Sequence, residues 1–236
     1  MRVLVTGKDG QLGKSIQNIV NSQGLNGFIF SSRKELDLSL KYNIDDYFYT
    51  KDKFDIIINC AAYTAVDKAE QEVELANQIN HSAVRQLAEI AVKQNTKLIH
   101  ISTDYVFDGK SNRPYIESDA PNPINIYGKT KLAGEQAIQE IMKTNALIIR
   151  TSWVYSEHKS NFVKTILELG SHRTELNVVS DQIGSPTNAN DLAKDILKII
   201  SKKHYLHQEQ STEVYHYSNK GAISRYQFAL KLFEIA

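Results

Sequence analysis

A chain of 236 residues can bury a sizeable core as one large or two modest domains, and 42% hydrophobic with 23% charged residues excludes a disordered polyelectrolyte. With 28 Lys and Arg against 27 Asp and Glu, the formal charge of +1 leaves no footprint for nucleic acid and no polybasic membrane patch, so small-molecule partners are expected. The single cysteine, Cys60, excludes a disulfide framework or a cysteine-based metal site within one chain, and no apolar run approaches membrane-spanning length.

The first residues already read as a strand rather than a leader, so a cytoplasmic location is expected. Residues 2–6 (Arg-Val-Leu-Val-Thr) form a buried parallel strand, and Gly7-Lys8-Asp9-Gly10-Gln11-Leu12-Gly13 turns it into a helix running to about residue 20. Glycines here let the backbone approach a pyrophosphate closely, while free amides and the helix dipole favour the anion. The spacing is Gly-x-x-Gly-x-x-Gly, not the Gly-x-Gly-x-x-Gly of ordinary dinucleotide-binding chains.

The second strand is expected at 27–30, ending in Ser31-Ser32-Arg33. An Asp or Glu near this point usually takes the ribose hydroxyls of NAD, whereas an Arg can pair with the 2′-phosphate of NADP; Arg33 therefore favours NADPH, with NADH possible. The alternative for Arg33 is a solvated surface residue, and Glu35 is a competing acid. Asp37 and Leu38 fall where a short segment flanks the adenine. A helix at 42–49 and a strand at 55–59 follow, then the small residues Ala61 and Ala62 with Tyr63 and Thr64, which permit close contact with a cofactor. Residues 67–79 and 82–94 read as one or two helices with Val84, Leu87, Ala88 and Ala91 inward.

A strand at 97–102 delivers Thr103 and Asp104 to its carboxyl edge, where open parallel sheets bind ligands. The loop 107–125 holds three of the four prolines and is placed to line a pocket. A helical pattern at 127–142 puts Tyr127 and Lys131 four residues apart on one face. Tyr-x-x-x-Lys occurs four times, as Tyr47/Lys51, Tyr49/Lys53, Tyr127/Lys131 and Tyr155/Lys159. Only the third has both a helix and an upstream strand-end hydroxyl; the first two read as solvated side chains of a surface helix, the last as accidental. Beyond lie a strand at 146–150, a helix at 161–169, a strand at 176–179, helices at 191–200 and 224–236, and a short strand at 214–217. The last helix stops without a Gly cap or polar tail, so a C-terminally shortened chain is expected.

Alternating strands and helices predict an α/β fold, a Rossmann-like doubly wound parallel sheet with a smaller C-terminal part. The division expected is 1–150 for an NADP-binding core and 151–236 for substrate binding, with 176–201 adding a strand and helices to the core.

Six blocks carry a resemblance: Thr6-Gly7-x-x-Gly10-x-x-Gly13, residues 59–67 (Asn-Cys-Ala-Ala-Tyr-Thr-Ala-Val-Asp), 102–109 (Ser-Thr-Asp-Tyr-Val-Phe-Asp-Gly), 127–135, 150–155 and 181–187. Their joint order resembles the extended short-chain dehydrogenase/reductases, and within them the dTDP-4-dehydrorhamnose reductase family. The resemblance implies Tyr127 as proton donor, Lys131 on the nicotinamide ribose and tuning Tyr127, and Thr103 on the substrate carbonyl. It assigns Gly10, Gln11 and Leu12 to the pyrophosphate, Asp37 and Leu38 to the adenine, Ala62, Tyr63 and Thr64 to the cofactor's inner edge, and Thr103, Asp104, Tyr105 and Trp153 to a dTDP-linked deoxyketosugar. A large aromatic such as Trp153 is more often core, so its assignment to the ligand rests on the block around it. A phenol with pKa of roughly 10 is a weak acid, and a neighbouring ammonium is expected to lower it.

The implied activity is NADPH-dependent reduction of the 4-keto group of dTDP-4-dehydro-β-L-rhamnose; another 4-keto-6-deoxysugar or a non-catalytic NADP-binding regulatory subunit are the alternatives. A dehydratase would resemble Thr-Asp-Glu where this chain has Thr103-Asp104-Tyr105. Relatives that bridge a dimer through Mg²⁺ use glutamates at positions matched by Ser15 and Asn190, so no metal and a monomer or weak homodimer are expected.

Overall fold

The computed structural model describes residues 1–202, 205 and 208–236. Strand β1 (Val3–Thr6) runs into helix α1 (Gln11–Ser22), β2 (Phe28–Ser31) into α2 (Lys41–Tyr49), and β3 (Ile56–Asn59) into short helices α3 (Val66–Ala69) and α4 (Val73–Asn77). Helix α4 continues through one π-helical turn (Gln78–Ser82) into α5 (Ala83–Gln94). Then come β4 (Lys97–Thr103), a 3₁₀ turn (Asp104–Val106), α6 (Ile126–Ile141) and β5 (Ala146–Thr151). The remainder holds β6 (Val154–Tyr155), α7 (Phe162–His172), β7 (Ile183–Gly184), β8 (Thr187–Asn188), α8 (Ala189–Ser201), β9 (Glu213–Tyr217), β10 (Ile223–Ser224) and α9 (Arg225–Ile235).

The main sheet has the order β2-β1-β3-β4-β5-β9, and every pair in it is parallel. It is the Rossmann-like doubly wound sheet expected. Chain order reverses at β1, between β2 and β3, and a ligand crevice opens at the carboxyl end of such a reversal. Both faces are covered, which is why the strands read as continuous aliphatic runs. Leu4, Ile57, Leu98 and Ile148 meet Val84, Leu87, Ala88 and Ile138, while Val5, Ile58, Ile99 and Ile149 share the opposite layer with Ile16, Val20, Leu192 and Ile196. Burial of each such side chain is worth roughly 1.5–3 kcal/mol, so this double layer fixes where the strand ends sit.

Three expectations change. Residues 176–179 join no strand: they lie in a largely exposed segment, with Val179 52% accessible, whose backbone meets α9 through the Tyr226 amide and the Val179 carbonyl at 3.0 Å and not a sheet edge. The outer strand beside β5 is β9, and from 176–201 only α8 reaches the core, packed against α1. Tyr47 is not solvated but buried beside Phe48, because α2 turns that face to the core; Tyr49 is exposed as expected. The stretch 66–94 is broken by turns and by the π turn, which carries buried Asn80.

Candidate active site

A cleft of about 850 Å³ runs along the carboxyl ends of β1, β3 and β4. At its β1 end Gly7 has φ +68°, and a Cβ there would stand 2.8 Å from the Ala61 nitrogen, so the turn accepts only glycine. Lys14 N–H donates to the Gly10 carbonyl at 3.0 Å as the first helical bond of α1, which leaves the amides of residues 11–13 outside the ladder. Gly7, Gly10, Gln11 and Leu12 line the cleft. Gly13 does not: its Cβ would meet the Gly7 carbonyl oxygen at 2.3 Å, so it serves close packing of α1 on the loop instead of ligand contact. The Gln11 side chain reaches across the molecule, donating to the Val154 carbonyl at 3.1 Å and accepting from Ser156 and Asn161 at 3.0 Å each.

Arg33, Asp37 and Leu38 line the far end of the cleft. Arg33 Nε donates to Asp37 at 3.1 Å and Nη2 to Ser39 Oγ at 3.3 Å. Glu35, the competing acid, is outside the lining: it accepts from Lys8 Nζ at 2.8 Å and from the Ser32 amide at 2.7 Å, and these bonds hold its carboxyl down at about 2. Ala61, Ala62, Tyr63 and Thr64 form one wall. Asn80 fastens that wall to α6, accepting from the Tyr63 amide at 2.9 Å and donating to the Tyr63 carbonyl at 3.0 Å and Thr130 Oγ1 at 3.2 Å.

Thr103, Asp104 and Tyr105 lie where β4 ends, and Tyr127 and Lys131 face them from α6. Asn125 caps that helix, its side chain accepting from the Gly128 amide at 2.8 Å. Tyr105 meets Tyr127 edge to face with ring centres 5.5 Å apart. Of the four Tyr/Lys pairs, only Tyr127/Lys131 lines the cleft with both members; Lys159 lines it without Tyr155. Trp153 adopts φ +46° and carries the Arg225 guanidinium 3.6 Å from its ring centre, so it is a cleft residue as well as a packing one.

Burial pushes the Tyr127 phenol up to about 12, opposed by a hydrogen bond with Thr103 and reinforced by Asp104 and Tyr105. Burial lowers Lys131 to about 8, opposed by Glu135 and Cys60. The expected depression of Tyr127 by Lys131 is not met, because Lys131 Nζ turns inward, donating to the Ile101 carbonyl at 2.7 Å and standing 3.2 Å from His100 Nε2. Burial raises Asp104 to about 6 against a Thr103 hydrogen bond and the Arg225 charge. The cleft therefore offers a neutral phenol, an adjustable amine and an acid, with an anion cradle at one end.

The family model described as the RmlD substrate binding domain matches residues 1–236. The chain belongs to the RmlD substrate binding domain family. A dTDP-4-dehydrorhamnose reductase of Aggregatibacter actinomycetemcomitans is 39% identical over 237 residues, covering 100% of this chain and 79% of that one. The crystal structure of a dTDP-4-dehydrorhamnose reductase from Clostridium acetobutylicum superposes with TM-score 0.90 at 39% identity, over 100% of this chain and 80% of the other. That of Bacillus anthracis, in complex with NADP, gives 0.89 at 42% identity, over 99% and 80%.

Several residues in or behind the wall of this RmlD-family cleft have partners that were not legible in sequence. Asn59 ends β3 and His100 lies midway along β4, Asn80 sits in a π turn, and Arg225, which lines the cleft, lies beyond the motif blocks. A polar residue interrupting an aliphatic run was the available signal for the first two. Glu135, four residues after Lys131, accepts from Arg150 Nη2 at 2.6 Å beneath the cleft. Among the described residues, no group of three or more His, Cys, Asp or Glu is placed to hold a metal, and no helix is long and apolar enough to cross a membrane.

Proposed function

We propose that this chain reduces the 4-keto group of dTDP-4-dehydro-β-L-rhamnose to dTDP-L-rhamnose with NADPH, a step in dTDP-rhamnose and cell-surface polysaccharide biosynthesis. The observation that carries the reading is one cleft holding both the Gly7–Leu12 anion cradle and Thr103, Tyr127 and Lys131. The names of the relatives support it, as does the NADP held by the Bacillus anthracis protein. Tyr105 stands where a dehydratase of this superfamily would need its carboxylate.

The residues present fit the cofactor. Gly7 lets the β1 turn pack directly on the Ala61 backbone, and the amides of the turn after it, at Gly10, Gln11 and Leu12, would hold the pyrophosphate. Asp37 and Leu38 would flank the adenine, Arg33 would meet a 2′-phosphate, and Ala61 to Thr64 would back the nicotinamide side. NADH is the weaker alternative. Bound NADPH supplies the hydride.

Tyr127 delivers its phenolic proton to the ketone oxygen, and Thr103 Oγ1 donates a hydrogen bond to the same atom as negative charge grows there. One such donor is worth roughly 3 kcal/mol. A phenol raised by burial keeps its proton until that charge develops. Lys131, one helical turn on, would hold the nicotinamide ribose and stabilise the phenolate left on Tyr127 once its Nζ turns from the Ile101 carbonyl toward the cleft. Asp104, Tyr105 and Trp153 contact the sugar nucleotide, with Arg225 above Trp153 available to its diphosphate. Residues 1–150 would thus hold the cofactor and supply Thr103, Asp104, Tyr105 and Tyr127 to the substrate, with 151–236 completing the substrate side, in a monomer or weak homodimer of the cytoplasm.

The test is loss of NADPH absorbance on a panel of dTDP-linked 4-keto-6-deoxysugars. Turnover with the rhamnose precursor is expected; none with any member would overturn the reductase reading, and a preference for another member would move the substrate assignment.

A further inference from the structure

We infer that His100 is a positioning residue whose buried imidazole changes from one neutral tautomer to the other as Lys131 gains or loses a proton, keeping the lysine hydrogen-bonded in both charge states. The functional meaning of this switch rests on the proposed role of Lys131; its existence does not.

Thr6, Asn59 and His100 occupy one register row across β1, β3 and β4. Two residues earlier on each strand the row is Leu4, Ile57 and Leu98, fully buried. A polar row on an aliphatic face must satisfy itself. It does so as a chain: the Ala61 amide donates to Thr6 Oγ1 at 3.2 Å, Thr6 Oγ1 donates to Asn59 Oδ1 at 2.6 Å, and Asn59 Nδ2 lies 3.0 Å from His100 Nδ1. The other ring nitrogen faces Lys131 Nζ.

The donors fix the protons. Thr6 spends its only proton on Asn59 Oδ1, so Asn59 presents its amide nitrogen to His100 and Nδ1 must accept. A neutral ring then carries its proton on Nε2, pointing at Lys131, and only an uncharged amine has a lone pair to receive it. An ammonium at Lys131 requires the reverse: Nε2 accepts, Nδ1 carries the proton, and Asn59 turns its oxygen to the ring and its amide to Thr6 Oγ1, which then accepts from the Asn59 and Ala61 amides and gives up its own hydrogen bond to Asn59. Each charge state of Lys131 has one matching tautomer.

The surrounding groups leave this exchange open. Lys131 faces the Cys60 thiol from the end of β3, Glu135 one turn along α6 and already bound to Arg150 of β5, and Tyr127 one turn back beside Asp104 and Tyr105. Burial and the Lys131 charge hold His100 well below the usual imidazole range, so the ring stays neutral throughout. Burial lowers Lys131 to about 8, inside the range the titration below covers.

The test is nitrogen NMR of the full chain labelled in its histidines, titrated from about pH 6 to about pH 10, with His100→Gln used to assign the signal. The expected result is a ring neutral at every pH that passes from the Nδ1–H to the Nε2–H tautomer with a midpoint near 8, and a single unchanging tautomer in Lys131→Met. One tautomer throughout in the wild type, an imidazolium signal, or the same change in Lys131→Met would overturn the inference. The wild-type titration needs no variant to fold and no turnover, so an inactive protein with an intact switch would count against the reductase reading alone. In an active enzyme, His100→Gln should move the basic limb of the kcat/KM profile, which a purely structural role would leave in place.

Discussion

Glu135 accepts from Arg150 Nη2 at 2.6 Å and from Nε at 3.0 and 3.1 Å, so a two-pronged ion pair, each member at most 6% exposed, joins α6 to β5 beneath the cleft. Ser102 also donates to Glu135. The pair sits one helical turn from Lys131 and fixes the depth at which that helix lies on the sheet.

Removing one partner of such a pair leaves the other charge buried and uncompensated, at a cost of about 3–5 kcal/mol. Glu135→Ala should therefore lower the urea midpoint strongly, and Glu135→Ala/Arg150→Met should recover part of the loss. A single variant within about 1 kcal/mol of wild type would show that the pair does not hold α6.

Lys131 falls from 10.5 to about 8 on folding. The unfolded chain then binds more protons than the folded one between those values, so stability rises as pH rises through about 8 to 10.5 and the cost is fully present below 8. Lys131→Met should be more stable than wild type at pH 7 by about 2 kcal/mol, after roughly 1 kcal/mol for the lost bond to Ile101, with the gap closing above pH 9. A gap independent of pH would contradict the lowered lysine.

Much of this was legible because it is local. The strand runs, the Gly7 turn and the Tyr127/Lys131 helix face are all set within a few residues, and five of the six motif blocks, all but 181–187, contribute to the cleft lining. What escaped depends on register between distant segments: nothing near His100 announces that Asn59 and Thr6 lie beside it, or near Trp153 that Arg225 covers it. The strand expected at 176–179 failed for the same reason, since three apolar residues in four do not say whether a sheet edge awaits them; β9 takes that edge instead. Tyr127 was placed correctly on α6, but the direction of Lys131 Nζ, inward to the Ile101 carbonyl, could not be read from i to i+4 spacing.

Asp104 rises from 3.8 to about 6 on folding. Its proton is held more tightly in the folded chain, so stability falls as pH climbs through that window, and the cost is complete above it. Asp104→Asn should remove this dependence and exceed wild type by about 2 kcal/mol at pH 7 while matching it near pH 4. Parallel urea midpoints for the two proteins across that range would contradict it.

Arg33 is tied to Asp37 and Ser39 yet keeps its side chain 70% exposed at the cleft end. An exposed charge-assisted contact to a 2′-phosphate is worth about 1.5 kcal/mol, so Arg33→Ala should weaken NADPH binding about tenfold and leave NADH binding unchanged. Equal losses for both cofactors, or an unchanged NADPH preference, would remove Arg33 from cofactor selection.

The central claim is that Tyr127 gives the proton to a sugar ketone in this cleft. The most direct measurement compares wild type with Tyr127→Phe in NADPH oxidation with dTDP-4-dehydro-β-L-rhamnose, alongside NADPH binding by fluorescence. Wild type should turn over; the variant should bind NADPH within about twofold and lose at least about a hundredfold in kcat, the usual scale of one general acid. Turnover by Tyr127→Phe at the wild-type rate would contradict the account.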